Sequence, residues 1–180
     1  GRVRADVIQV APDVSGVVSR VNVADNQRVH RGELLFAIDQ DRYRLALDQS
    51  KAMVESRRAE MMQRERDMDR QHRLANGVIS ASDREQAESA YAIAQAGYRQ
   101  AMADMEVANL NLERTEVRAV ADGYVTNLEL HAGDYVQAGS PALALVDITS
   151  FHVVGYFEET KLPRIKVGAR VSVALMGSGE

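Results

Sequence analysis

The 180-residue chain contains no cysteine, which excludes disulfides and thiolate metal sites. That absence is compatible with an oxidising compartment and does not require one. No apolar run approaches the roughly 18 residues of a membrane-spanning helix, and no segment is patterned as a secretory signal. Blocks of one charge are also missing. The net charge is −4 with acidic and basic residues mixed, so neither a nucleic-acid surface nor a solvating acidic tail is indicated. The four histidines, His30, His72, His131 and His152, are not at metal-ligand spacing and read as solvated side chains. Glu158 and Glu159 are adjacent, and adjacent side chains point apart in extended chain, so they do not form a shared acid/base site. No glycine-rich phosphate loop precedes a helix, and Gly177-Ser178-Gly179 reads as a flexible tail. No catalytic residue, cofactor site or metal site is expected, and the chain does not read as an enzyme.

Two heptad patterns are what the sequence does contain. Leu47, Val54, Met61, Met68 and Ala75 recur every seventh residue, as do Tyr91, Tyr98, Met105 and Leu112. A companion series runs Ala87, Ala94, Ala101, Ala108. Residues seven apart return to one side of a helix, so each series is a stripe. Between them, Asn76-Gly77 can end a helix in a left-handed conformation, and Ser82 with Glu85 fits a capping box for the next. The pattern predicts an antiparallel helical hairpin over 41–114, with its tip at about 74–82. Arms of about 33 to 35 residues would reach roughly 50 Å. On the first helix the companion positions are polar: Ser50, Arg57, Arg64 and Gln71. One stripe per helix is therefore expected to hold the pair, with arginines lying along it. A plain solvated spacer is one alternative. Burial of the polar flanks between neighbouring hairpins of an oligomer is another.

The second pattern is an internal repeat. A shift of 107 places Gly16 on Gly123, Val18 on Val125, Val29 on Val136, Gly32 on Gly139 and Ala37 on Ala144. Asn26 falls on Gly133, so the two residue types most tolerant of positive φ share a turn position. The β-branched residues and turn signals around these positions predict short strands. The halves are 7–39 and 116–147, each too small to bury a core alone. Paired, they predict one β-sandwich of roughly 65 to 80 residues, near the lower size limit for a free domain. The hairpin is an insertion between them.

Beyond Asp147 the texture changes. Residues 151–157 and 167–175 read as two strands, and 148–176 as a partial β-barrel domain. Two strands cannot make a closed barrel, so continuation past Glu180 is expected. Residues 2–8 likewise read as mid-strand, which leaves room for a preceding anchor.

The matched half-motifs resemble the split biotinyl/lipoyl domain of periplasmic adaptors, also called membrane-fusion proteins, of the haemolysin-secretion and multidrug-resistance superfamily. Ala11-Pro12-Asp13-Val14-Ser15-Gly16, Asp25-Asn26-Gln27-Arg28-Val29, Leu112-Glu113-Arg114-Thr115, the run Ala121 to Leu128, Ser150-Phe151 and Glu158-Glu159-Thr160-Lys161-Leu162 look closest to the adaptor subunits of p-hydroxybenzoic (aromatic carboxylic) acid efflux pumps. The fold class expected is α+β: a split lipoyl-like sandwich, an inserted antiparallel coiled-coil hairpin, and the start of a β-barrel domain. The resemblance implies a periplasmic location, a transmembrane anchor before Gly1, an inner-membrane transporter partner, a TolC-type outer-membrane channel partner, and self-association into a ring of six. A type I secretion adaptor and a general multidrug adaptor are the alternatives within the class. A biotin or lipoyl carrier domain is the alternative outside it. Carriers hold the modified lysine on the turn joining the halves, but here the lysines are Lys51, Lys161 and Lys166, so no swinging-arm cofactor is expected.

Many adaptors that dock on a channel carry Arg, Leu and Ser at the hairpin tip. Arg70 and Leu74 have the family spacing, but five residues rather than six separate Leu74 from Ser80. Anchored on Ser80, Arg73 takes the Leu position and Asp69 the Arg position. The candidate docking residues are Arg70, Arg73, Leu74, Val78, Ile79 and Ser80. Glu158, Glu159 and Lys161 form a candidate inter-subunit or barrel motif. Val120 stands where the family usually has proline. The fragment alone is expected to be monomeric in dilute solution.

Overall fold

The computed structural model describes residues 2–73, 81–158 and 166–173. Five strands precede the helices: β1 (Arg2–Arg4), β2 (Val7–Val10), β3 (Gly16–Val21), β4 (Arg28–Val29) and β5 (Leu34–Ile38). The helices are α1 (Asp41–Arg73) and α2 (Ala81–Glu113). Five strands follow: β6 (Glu116–Arg118), β7 (Gly123–Thr126), β8 (Tyr135–Val136), β9 (Leu143–Asp147) and β10 (His152–Val154). The class is α+β, a split lipoyl-like sandwich with an inserted hairpin and the start of a barrel.

The sandwich has two four-stranded sheets, ordered β2-β9-β7-β4 and β6-β5-β3-β8. Exchanging the halves turns one order into the other. Each sheet draws strands from both halves: β4 pairs with β7, and β3 pairs with β8. Neither half can therefore close its own sheet.

The repeat extends to single hydrogen bonds. Asn26 N–H donates to Val125 O at 2.9 Å, and Gly133 N–H donates to Val18 O at 2.8 Å. Asn26 has φ 62° and Gly133 φ 100°, so both matched turn residues are left-handed. Arg31 N–H donates to Asp122 Oδ1 at 2.8 Å, and at the matched position Ala138 N–H donates to Ser15 Oγ at 2.9 Å. Gly32 N–H donates to Ala119 O and Ala119 N–H returns a bond to Glu33 O. In the other half Gly139 N–H donates to Pro12 O, but proline has no N–H to return. The core between the sheets is built on Val18, Val29, Leu35, Phe36, Ile38, Val125 and Leu145, all essentially buried.

In the hairpin, Leu47 is buried and Val54, Met61 and Met68 are half-buried, while most intervening residues of α1 are exposed. On α2 the alanine series packs more deeply than the tyrosine stripe. Ala94 is 7% and Ala101 4% exposed, whereas Tyr91, Tyr98, Met105 and Leu112 are half-buried. Both series face α1, because a methyl side chain lets the helix backbones approach. The first helical residue of α2 is Ala81, so Ser82 sits inside the helix and is not its cap. The expected Asn76-Gly77 stop lies outside the described residues.

The last segment departs from expectation. Only His152–Val154 of 151–157 is a strand, and it pairs with β1, joining Arg2 to Val154 and Arg4 to His152. Residues 166–173 form a turn and irregular chain, with Val167, Val171 and Val173 exposed. Alternating valines supply β-propensity, but a strand needs a paired backbone. Among the described residues no strand pairs with 169–173.

Candidate docking surfaces

The hairpin springs from two adjacent points of one sheet. β5 ends at Ile38, whose N–H donates to Thr115 O at 2.8 Å, and β6 begins just after Thr115. Thr115 is fully buried. Its hydroxyl donates to Leu112 O at 2.6 Å and accepts from Gln40 Nε2 at 2.8 Å, tying the last turn of α2 to the residue before α1. Asp39 Oδ1 accepts from Asp41 N–H at 2.9 Å and caps the start of α1.

The loop 11–15 clamps both roots. Tyr43 OH donates to Ser15 O at 2.7 Å, and the Arg42 guanidinium donates to the same carbonyl and to Tyr43 OH. That hydrogen bond to Tyr43 holds the Arg42 guanidinium above its ordinary value. Just past the end of α2, Arg114 Nε lies 3.4 Å from Asp13 Oδ2.

A second joint links the sandwich to the β1–β10 ribbon. Thr149 Oγ1 and N–H both donate to Asp147 Oδ1 at 2.7 Å. Ser150 Oγ donates to Asp147 O at 2.8 Å and accepts from Asp6 N–H at 2.7 Å. The Thr149 hydroxyl, then its N–H, holds the Asp147 carboxyl below its ordinary value of 3.8. A lowered folded pKa means the turn keeps its full contribution above the unfolded value and loses it as pH falls through the folded one. In an NMR titration the Thr149 amide should move with a midpoint below 3.8, and Asp147→Asn should abolish that titration. A midpoint at or above the ordinary value would contradict this geometry.

Along the hairpin, Arg70 is exposed, pairs with Asp67 at 3.5 Å and borders an interhelical cleft of 350 Å³. Arg73 is exposed, and its Nε donates to Asp69 O at 3.3 Å. Leu74, Val78, Ile79 and Ser80 lie outside the described residues, as do Glu159 and Lys161. Glu158 is exposed at the end of the described ribbon segment. His72 Nε2 lies 3.0 Å from Glu88 Oε1, a cross-helix contact that spacing did not signal. Lys51 lies on α1, 3.4 Å from Asp48 Oδ1. Among the described residues, no cluster of three or more His, Asp or Glu is placed to hold a metal ion, and no helix is long and apolar enough to cross a membrane.

Two domain models match the chain. One is the pHBA AAEA subunit, alpha-helical hairpin domain, over residues 41–113. The other is the AAEA-like beta-barrel domain, over residues 150–180. The chain belongs to the periplasmic adaptor, or membrane-fusion, proteins. Within them its hairpin is similar to that of the pHBA AAEA subunit and its last segment to the AAEA-like barrel. Adaptors of this family are generally non-enzymatic.

Solved structures show the same fold. An efflux transporter from Bacteroides eggerthii is 26% identical at TM-score 0.66, over 80% of this chain and 40% of that one. MacA from Actinobacillus actinomycetemcomitans is 22% identical at TM-score 0.78, over 93% of this chain and 58% of that one. The membrane fusion protein Spr0693 from Streptococcus pneumoniae is 18% identical at TM-score 0.72, over 93% of this chain and 71% of that one. The chain thus spans about half the length of the first two.

Proposed function

We propose that the complete protein is the periplasmic adaptor of a tripartite efflux pump that links an inner-membrane transporter to a TolC-type outer-membrane channel. The observation that carries this reading is the rooted hairpin: two 33-residue helices leaving adjacent points of one sandwich, matched by the pump-subunit hairpin model. At about 1.5 Å per residue, each arm carries its tip roughly 50 Å from the sandwich. The division into a sandwich (7–39 and 116–147), a hairpin (41–114) and a partial barrel (148–176) gives each part a place. The barrel end, with Glu158, Glu159 and Lys161 at or near subunit contacts, sits toward the inner membrane, where an anchor preceding Gly1 holds the protein. Sandwiches stand side by side in a ring of six. The tip, with Arg70, Arg73, Leu74, Val78, Ile79 and Ser80, meets the channel.

Conduction is passive: the ring encloses a path and the transporter supplies the energy. Aromatic carboxylic acids are the proposed cargo, on the strength of the two matching domain models. The test places a photoreactive residue at Val78 of the complete, anchored protein in cells. A specific crosslink to an outer-membrane channel is expected. Export of aromatic acids that persists while the tip crosslinks to no channel would overturn the docking role.

A further inference from the structure

The seam along which α1 and α2 meet changes character along its length. Nearer the sandwich, Leu47, Ala94 and Ala101 are buried in it. From Arg64 on α1 and Ala90 on α2 toward the tip, none of the described hairpin residues is buried. The heptad positions there are polar. Arg64 and Gln71 continue the series of Ser50 and Arg57, and Arg84 stands seven residues before Tyr91. Ala87 and Ala90 are too small to fill the space opposite, and the helices border a cleft of 350 Å³ lined in part by Arg64, Asp67, Gln71, Gln86 and these two alanines.

Two polar groups are caught in this stretch. Gln71 Oε1 and Arg84 Nε are both cut off from solvent, and neither has a hydrogen-bond partner. A methyl group at Gly97 would lie 3.8 Å from Arg57 Cδ, which sets residues 57 and 97 at one level. Counting outward from that pair, Gln71 stands level with Arg84 to within a residue. An acceptor and a donor therefore share one layer of the seam without meeting. Closing the helices here leaves both dry and unpaired, and each such group costs the closed form roughly tenfold in its equilibrium. Parting the helices returns both to water. The ion pairs nearby offer little resistance. His72 Nε2 lies 3.0 Å from Glu88 Oε1 across the helices, but their side chains are 49% and 55% exposed. Arg70 pairs with Asp67 of its own helix. Pairs at such exposure hold weakly.

We infer that the outer part of the hairpin, 64–73 with 82–90, opens and closes as a unit of its own while the inner part and both roots stay zipped. The boundary falls at Ala94, the last buried residue toward the tip among those described, which stands level with Met61. The opening itself needs no partner. Its use rests on the adaptor reading: an end that can splay lets the tip adjust to what it docks on without moving the sandwich.

The test is hydrogen exchange in the complete protein, comparing the natural chain with Gln71→Leu plus Arg84→Leu. Replacing both residues by apolar side chains removes both unpaired groups. Amides of 64–73 and 85–90 should slow by about tenfold or more in the double variant, and those of 47–61 and 94–110 should keep their rates. Gln71→Met with Arg84→Met, whose flexible side chains fit irregular gaps, makes the same comparison if leucine distorts the seam. Arg66→Leu with Ser89→Leu adds apolar side chains at exposed positions of the same stretch and should slow the outer amides far less. Equal slowing along both helices would show that the hairpin opens as one body. Unchanged outer rates would show that fraying of the helix ends, not the buried pair, sets them. Equal slowing by the exposed pair would show that any added apolar surface suffices. Each of these results overturns the inference. The Val78 crosslink is scored separately. Its absence beside confined slowing removes channel docking and leaves the opening. Its presence without confined slowing removes the opening and leaves the adaptor.

Discussion

Gly123→Ala is expected to disrupt the sandwich, and Gly16→Ala to do less, although the two glycines are counterparts in the repeat. Neither has positive φ. What each position demands is space. A Cβ at Gly123 would stand 2.4 Å from Val146 O and 3.1 Å from Val146 C, backbone atoms of the paired strand β9. A Cβ at Gly16 would stand 2.6 Å from Ile38 Cγ2, a side-chain atom. A side chain can turn at the cost of an unfavourable rotamer, whereas β9 cannot retreat without breaking its ladder to β7. Overpacking costs typically about 1–3 kcal/mol, and Gly123→Ala belongs at or above the top of that range. Gly16→Ala belongs within it, because Ile38 is itself fully buried. Chemical denaturation of both variants measures the difference. Equal midpoints would mean that β9 yields as readily as a side chain.

The repeat and the hairpin were legible because both are local codes. A turn that needs positive φ writes Asn26 or Gly133 into the sequence, and a packed helix face writes a residue every seventh position. How the halves interleave is not written locally. β4 and β8 are two residues long, and their partners lie in the other half, so nothing within 28–29 names 123–124. The root clamp is hidden for a related reason. Arg42 and Tyr43 meet the carbonyl of Ser15, and every residue has a carbonyl. Thr115 gave only a faint signal, a small hydroxyl residue between a helix and a strand. Strand propensity misled at 167–173, where the alternating valines pair with no strand among the described residues, and the pairing of β10 with β1 joins residues about 150 apart in the chain. The docking residues of the tip rest on the resemblance to a family motif and on the apolar pair Val78-Ile79, and only Arg70 and Arg73 fall on described chain.

The joints explain how a marginal hairpin can serve as a spacer. Along its inner face only Leu47, Ala94 and Ala101 are buried, and Val54, Met61, Met68, Tyr91, Tyr98, Met105 and Leu112 are half-buried, a thin apolar contact for two long helices. The sandwich fixes both roots instead, through the Gln40–Thr115 bond between the helix ends and the 11–15 clamp on both. Rigidity at the base replaces packing along the length.

Phe36→Ala should therefore remove more than a piece of core. Phe36 is fully buried in β5, and its backbone stands opposite Val21 of β3 on one side and Val117 of β6 on the other. It joins a strand of the first half to a strand of the second. Truncating a buried phenylalanine costs about 3–5 kcal/mol. Small domains commonly have only about 5–15 kcal/mol in hand, and a sandwich this small lies toward the low end. Because each sheet is made from both halves, losing β5 releases β6, and with it the bond from Ile38 to Thr115 that keeps the helix roots together. Separated helices with so thin a seam are marginal in water. Amide exchange in β5, α1 and α2 should then rise together in Phe36→Ala, as one cooperative unit. Protected helices beside an exchanging β5 would show instead that the hairpin stands on its own, and that the clamp orients it without being needed to fold it.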